Sequence, residues 1–307
     1  MERPLPTRRP SGAARESLGQ ALGWATAELA ATSETPRLEA EVLLTQVLGG
    51  DRAQLRAWPE RPLDPDRAAR FRALVERRRA GEPLAYITGE REFWSRRFRV
   101  GPGVLIPRPE TELLVELALT LLPQDRPAEL LDLGTGTGVI AVTLALERPA
   151  IRALATDLSP EALALAMENA ARHGATNLRF ALGNWFVAVP AGARFDLVVS
   201  NPPYIATGDP HLGRGDLRFE PALALVAGPE GLDALAAIVA AAGAYLKPEG
   251  WLLLEHGYTQ ADAVAALLAA HGYGEIAHHA DLQGHRRVVA ARRPRSPGSL
   301  PVAAPPG

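Results

Sequence analysis

Five short apolar runs, Leu130–Leu133, Ala153–Thr156, Leu178–Leu182, Phe195–Ser200 and Trp251–Glu255, alternate with stretches of helical period such as Thr137–Glu147 and Ser159–His173. Runs of this length without a polar face become strands buried on both sides. Their alternation with helices predicts an α/β fold, an open and mostly parallel sheet with helices on both faces. In such sheets ligands sit at the carboxyl ends of the strands, where the strand order reverses. The segments that follow these runs are therefore the places to look for chemistry.

The region before the alternation has a different period. Leu18, Leu22, Ala25 and Leu29 keep one helical face, and Ser17 with Gln20 has the form of a capping box. A second helix is expected from Thr35-Pro36 through Leu38, Leu43, Leu44 and Val47, and a third from Asp64-Pro65 with Phe71, Leu74 and Val75 inward. With Gly49-Gly50 and the Pro59–Pro65 region between them, residues 16–92 read as a small helical bundle. Arg67, Arg70, Arg77, Arg78 and Arg79 fall mostly opposite the apolar face and are expected to be solvated. Short β-like runs around Gly101-Pro102-Gly103 predict a hairpin over 93–107 that joins this bundle to a second domain at 108–293. Residues 1–15 and 294–307, the latter with five prolines, have no apolar period and read as loose tails.

Composition removes several classes. The 307 residues are 47% apolar and 22% charged, within the globular range. With no cysteine, thiolate metal sites, disulfides and cysteine nucleophiles are absent, which fits a cytoplasmic protein. No secretory signal is visible at the start, and the longest near-apolar stretch, Leu232–Leu246, contains Asp233 and is too short for a bilayer of about 30 Å. Residues 1–100 carry net charge +4 and residues 101–307 carry −6, with no positive stripe of the kind a nucleic-acid groove needs. The histidines form no H-E-x-x-H pair, and His278-His279 read as surface residues. No G-x-S-x-G elbow supports a serine hydrolase.

The first strand runs into Asp132-Leu133-Gly134-Thr135-Gly136-Thr137-Gly138, which opens a helix. Gly134, Thr135, Gly136, Thr137 and Gly138 form a turn that passes close beneath a ligand, with free amides and a helix start suited to a polar or anionic group. The spacing departs from the dinucleotide fingerprint, because Val139 occupies its last glycine position, and the Lys-Ser/Thr pair of a phosphate loop is missing. Asp157 ends the next strand, where a carboxylate accepts the hydroxyl hydrogens of a ribose. Trp185, after the third strand, offers an indole face to an adenine ring.

The most specific segment is Ser200-Asn201-Pro202-Pro203-Tyr204, at the end of the fourth strand. Pro202 and Pro203 hold the chain extended without amide donors, which leaves the Pro202 carbonyl as a fixed acceptor. With the Asn201 side-chain oxygen it makes two acceptors, matched to the two hydrogens of a planar NH₂ group, and Tyr204 can lie on the flat face. Two such hydrogen bonds orient a weak nitrogen nucleophile and favour pyramidal nitrogen as its lone pair is freed.

These motifs, with Pro107-Arg108-Pro109-Glu110-Thr111-Glu112, Gly183-Asn184-Trp185-Phe186, Phe219-Glu220-Pro221-Ala222-Leu223 and Leu254-Glu255-His256-Gly257, resemble the PrmC/HemK family of protein-(glutamine-N5) methyltransferases over roughly residues 16–292. The resemblance implies a Rossmann-like class I S-adenosylmethionine-dependent methyltransferase sheet behind an N-terminal helical substrate-recognition domain. It implies S-adenosylmethionine as cofactor and class 1 peptide-chain release factors as substrate, methylated on the glutamine of their Gly-Gly-Gln loop. Gly134–Gly138, Asp157, Trp185 and Asn201 would line the cofactor; Asn201, Pro202, Pro203 and Tyr204 would hold the glutamine. Asn184 stands where related methyltransferases often carry an acidic residue, and its amide oxygen still accepts. The expected reaction is an in-line displacement in which positioning supplies much of the rate. A cytoplasmic monomer is expected, acting on protein and not on nucleic acid or membrane. The rival readings are glutamine methylation of a large-subunit ribosomal protein, adenine-N6 methylation of DNA, and a non-catalytic adaptor.

Overall fold

The computed structural model describes residues 16–294, so the tail readings at 1–15 and 294–307, apart from Pro294, lie outside the described residues. The described chain divides after Thr88 into two compact units.

The first unit holds five helices: α1 (Leu18–Leu29), α2 (Pro36–Leu48), α3 (Arg52–Ala57), α4 (Pro65–Arg79) and α5 (Leu84–Thr88). The capping box at α1 forms in both directions: Ser17 Oγ accepts from the Gln20 N–H at 3.2 Å, and Gln20 Oε1 accepts from the Ser17 N–H at 2.9 Å. Asp64 accepts from the amides of Asp66 and Arg67 and starts α4. Thr35 makes no side-chain cap, and α2 starts on Pro36 alone. Leu22, Leu29, Leu43, Leu44, Phe71 and Val75 are buried at the centre. Helices α3 and α5 were not expected, because six and five residues are too few to show a helical period. The arginines of α4 are not uniformly solvated: Arg78 is largely covered and pairs with Glu39 at 2.8 Å, while Arg77 and Arg79 pair with Glu82 and Glu76. Arg67 and Arg70 are exposed, as expected.

The second unit begins with a hairpin of β1 (Glu90–Phe93) and β2 (Arg96–Arg99), earlier in the chain than the expected 93–107. Its turn is Trp94-Ser95, with φ of 52° and 56°, values that favour Asn or Gly, so the turn carries no sequence signal. The conformation is held from outside: Glu112 accepts from the Trp94 N–H at 2.8 Å, and Glu147 accepts from the indole N–H at 3.2 Å. Gly101-Pro102-Gly103 lies beyond the hairpin and leads towards the sheet.

Then follow α6 (Thr111–Leu121), β3 (Glu129–Leu133), α7 (Val139–Glu147), β4 (Arg152–Asp157), α8 (Pro160–His173), β5 (Leu178–Leu182), β6 (Phe195–Ser200), α9 (Asp233–Ala242), β7 (Leu246–Glu255), α10 (Ala261–Ala270), β8 (Gly274–Ala280) and β9 (Arg286–Arg292). The sheet order is β5-β4-β3-β6-β7-β9-β8, parallel from β5 through β7, with β9 antiparallel to β7 and β8 antiparallel to β9. Alternate residues of each central strand feed two cores: Leu130, Leu197, Val199 and Leu253 face α6 and α7, while Leu131, Leu133, Val198, Leu252 and Leu254 face α9 and α10. This two-sided burial is why the strands read as unbroken apolar runs.

The terminal strands β8 and β9 were not anticipated. Within the edge strand β8, His278 and His279 are half-buried, and His278 Nδ1 lies 3.2 Å from Nε2 of the buried His256. No helix among the described residues is long and apolar enough to cross a membrane.

Candidate functional site

The strand order reverses between β3 and β6, and the two strand ends are joined there: the buried Ser200 donates from Oγ to the Leu133 carbonyl at 2.7 Å. The glycine turn leaves β3 and the Asn-Pro-Pro-Tyr segment leaves β6 at this point. Above them lies a cavity of about 660 Å³. Gly134, Thr135, Gly136, Thr137, Asp157, Trp185, Asn201 and Pro203 line it.

Local geometry explains the turn. Gly134 has φ of +69°, and a Cβ there would lie 3.3 Å from the Trp185 ring, so its glycine both permits the turn and admits the indole. The Asp157 carboxylate accepts from the Gly136 N–H at 2.8 Å through Oδ2 and from the Ser159 N–H at 2.9 Å through Oδ1. Each oxygen keeps a further lone pair for a ligand hydroxyl. Gly138 is the one residue of this turn that is not among those lining the cavity. It sits outside the cavity, and a Cβ on it would lie 3.0 Å from that of Ala166, so its role is the close approach of α7 and α8.

Beneath the turn, Asp132 is fully buried; Oδ2 accepts from the Thr135 hydroxyl at 2.6 Å, and Oδ1 has no hydrogen-bond partner among the described residues. Burial pushes its carboxyl up to about 7. Asn169 of α8 braces the turn from the side, donating to the Thr137 carbonyl at 2.9 Å and exchanging hydrogen bonds with the backbone of Arg99 at 2.7 and 3.1 Å.

Asn201 is held by residues that sequence reasoning left without a role. Its Nδ2 donates to Thr111 Oγ1 at 3.0 Å, and that hydroxyl donates to Glu255 Oε2 at 2.8 Å. Tyr204 donates to Glu255 Oε1 at 3.3 Å. Asn201 Oδ1 has no partner among the described residues. Pro202 is buried and, like Tyr204, is not part of the lining; its carbonyl accepts no hydrogen bond among the described residues. Burial and the neighbouring Glu255 charge push the Tyr204 phenol up, so it remains a donor. Burial raises the Glu255 carboxyl to about 7.

A second brace forms the rim. Glu220, whose side chain is wholly covered, pairs with Arg108 and accepts from the Ile106 N–H at 3.2 Å. It thereby ties the segment from Gly103 to Arg108 to the one from Pro221 to Val226, both of which line the cavity. Burial raises the Glu220 carboxyl although Arg108 acts in the opposite direction. The only signal for Thr111, Glu220 and Glu255 was their presence in segments that resemble the family; their partners lie 112 and 144 residues away along the chain. No cluster of metal-ligating side chains occurs among the described residues.

Comparison with known proteins covers most of the chain. The PrmC N-terminal domain family model matches residues 20–89, and the methyltransferase small domain model matches residues 110–213. A release factor glutamine methyltransferase from Vibrio cholerae is 50% identical over 261 residues, covering 84% of this chain and 90% of the relative. One from Xylella fastidiosa is 49% identical over 265 residues, covering 86% and 96%. One from Salmonella typhimurium is 47% identical over 260 residues, covering 85% and 93%. With both family models matched in order, and identity of this extent over nearly the whole of each relative, the chain belongs to the release factor glutamine methyltransferase family.

Proposed function

We propose that the protein methylates the glutamine side chain of the Gly-Gly-Gln motif in class 1 peptide-chain release factors, with S-adenosylmethionine as methyl donor. The observation that carries this reading is Asn201: a carboxamide at the switch point of the sheet with its nitrogen engaged by Thr111 and its oxygen unpartnered on a cavity wall. An acceptor held in this way suits an incoming NH₂ group.

The residues present fit the donor. The turn from Gly134 to Thr137 lines the cavity and lets its backbone come close to the donor's amino-acid end, with the Thr135 and Gly136 amides already given to Thr156 and Asp157; Asp157 has lone pairs left for ribose hydroxyls, and Trp185 offers an aromatic wall. When bound, the donor supplies a methyl group already activated by positive sulfur.

The protein's part is to place the accepting nitrogen. Asn201 Oδ1 accepts one amide hydrogen at the cavity wall; the Pro202 carbonyl next to it, buried but without a hydrogen bond among the described residues, is the second acceptor the reading calls for, and Pro203 and Tyr204 fix the path of the loop. The Tyr204 hydroxyl is committed to Glu255, so it is not a base for the nitrogen. Orientation of a weak nucleophile against an activated methyl is the main contribution to rate.

Net charge of −6 over residues 101–307, which contain the cavity, favours a protein acceptor over DNA. The reading places the protein in the cytoplasm, as a monomer acting in translation termination. Peptide-mapping mass spectrometry of an unmodified release factor, incubated with the protein and S-adenosylmethionine, tests it. One added methyl on the Gly-Gly-Gln glutamine supports the reading; an unmodified glutamine, with donor bound, contradicts it and moves the search to the ribosomal protein.

A further inference from the structure

We propose that Thr111 and Glu255 are positioning residues that lock the Asn201 carboxamide with its oxygen towards the acceptor nitrogen. This inference rests on the functional reading above and deepens it.

The argument is one of donor and acceptor counting. A threonine hydroxyl has a single proton, and in Thr111 it goes to Glu255 Oε2 at 2.8 Å. What remains on Thr111 Oγ1 is acceptor capacity, so the Asn201 atom 3.0 Å away must be the NH₂ and not the oxygen. The Asn201 oxygen is thereby left for the cavity. Remove the acceptor behind Thr111 and the hydroxyl proton is free to turn towards Asn201. The carboxamide then gains a second orientation, in which its NH₂ faces the cavity and opposes an incoming amide nitrogen.

Glu255 is built for this role. It is buried at the end of β7, and Tyr204 donates to its other oxygen. The groups around it are Thr111 and Glu110 at the start of α6, Tyr204 beyond β6, Arg287 on β9 and the adjacent His256, whose pKa burial lowers. As a carboxylate, Glu255 accepts from both hydroxyls. Once protonated, it becomes a donor on one side, and the Thr111 proton is released to Asn201. The lock is therefore complete only when Glu255 is ionised. Because burial raises this carboxyl to about 7, the lock loosens as pH falls through that region.

The test measures release-factor methylation and donor affinity for wild type, Thr111→Val, Thr111→Ser and Glu255→Gln, each checked for folding by thermal melting. Thr111→Val keeps shape and removes the hydroxyl; kcat is expected to fall roughly 10- to 100-fold, as small misplacements of reacting groups do, with the donor Kd changed by less than about threefold. Thr111→Ser restores the hydroxyl and is expected to return kcat to within about threefold of wild type. Glu255→Gln should flatten the decline of kcat below about pH 7, since its carboxamide does not titrate there. Thr111→Val with wild-type kcat, Thr111→Ser as slow as Thr111→Val, or an unchanged acid decline in Glu255→Gln each overturns the proposal while leaving the wild-type activity, and so the functional reading, in place. Wild type that methylates no glutamine overturns both. Should Thr111→Val melt before assay, the Glu255→Gln pH profile decides alone.

Discussion

Ser200 donates its hydroxyl to the Leu133 carbonyl at 2.7 Å, pinning together the two strands whose ends carry the glycine turn and the Asn-Pro-Pro-Tyr segment. Both residues are buried, and they stand directly opposite each other in the β3–β6 register. Ser200→Ala is expected to cost about 1 kcal/mol of stability, the net worth of an ordinary hydrogen bond, and to lower kcat more than donor affinity. Urea unfolding and steady-state kinetics check this. Unchanged stability would mean that the sheet alone fixes the two ends.

The Asp157 carboxylate organises the turn as well as facing the cavity. Asp157→Ala leaves the Gly136 and Ser159 amides unpaired and removes the acceptor proposed for ribose. The donor Kd is expected to rise roughly 10-fold or more, in line with hydrogen bonds to charged groups worth about 1.5–3 kcal/mol. Calorimetric titration with S-adenosylmethionine reads it, and an affinity equal to wild type would remove Asp157 from the donor site.

Gly138 separates a structural glycine from a ligand-facing one. With φ of +81° and Ala166 Cβ 3.0 Å from the position of an added Cβ, Gly138→Ala forces α7 and α8 apart. A loss of about 1–3 kcal/mol is expected from overpacking, with donor affinity of the folded fraction retained. A melting temperature equal to wild type would contradict this account of the residue.

Much of this arrangement was legible before the structure because local chemistry carried it. Ser17 and Asp64 mark helix starts by side-chain caps, and strands buried on both faces announce themselves as apolar runs. The glycine turn and Asn201-Pro202-Pro203-Tyr204 were visible because they are contiguous. What stayed hidden depends on residues far apart in sequence. Thr111 and Glu255 meet across 144 residues, and Arg108 and Glu220 across 112, so no window along the chain reveals either brace. The Trp94-Ser95 turn was invisible for a different reason: its left-handed backbone is held by Glu112, not by its own residue types. The edge strand β8 is mostly exposed or half-exposed and carries two histidines, which gives it no apolar run.

The two buried carboxylates make a prediction about stability and pH. Asp132 and Glu255 are both raised to about 7 by burial, so the folded protein holds these protons more tightly than the unfolded chain. Their contribution to stability is full below their unfolded pKa values, about 4, and is lost as pH rises through about 7. Urea midpoints should fall across that window, and Asp132→Asn should remove part of the fall. A difference between wild type and Asp132→Asn that is flat with pH would show that Asp132 titrates normally.

The central claim is that Asn201 presents its side-chain oxygen to the nitrogen that receives the methyl group. Single-turnover methylation of a release factor by Asn201→Ala, at saturating S-adenosylmethionine and with donor Kd measured in parallel, addresses it most directly. The account predicts a rate lower by roughly 100-fold or more, the scale for loss of one preorganised polar group, with a folded protein and a donor Kd that changes far less. A rate within about twofold of wild type would contradict the claim, since each tenfold in rate corresponds to about 1.4 kcal/mol of lost transition-state stabilisation.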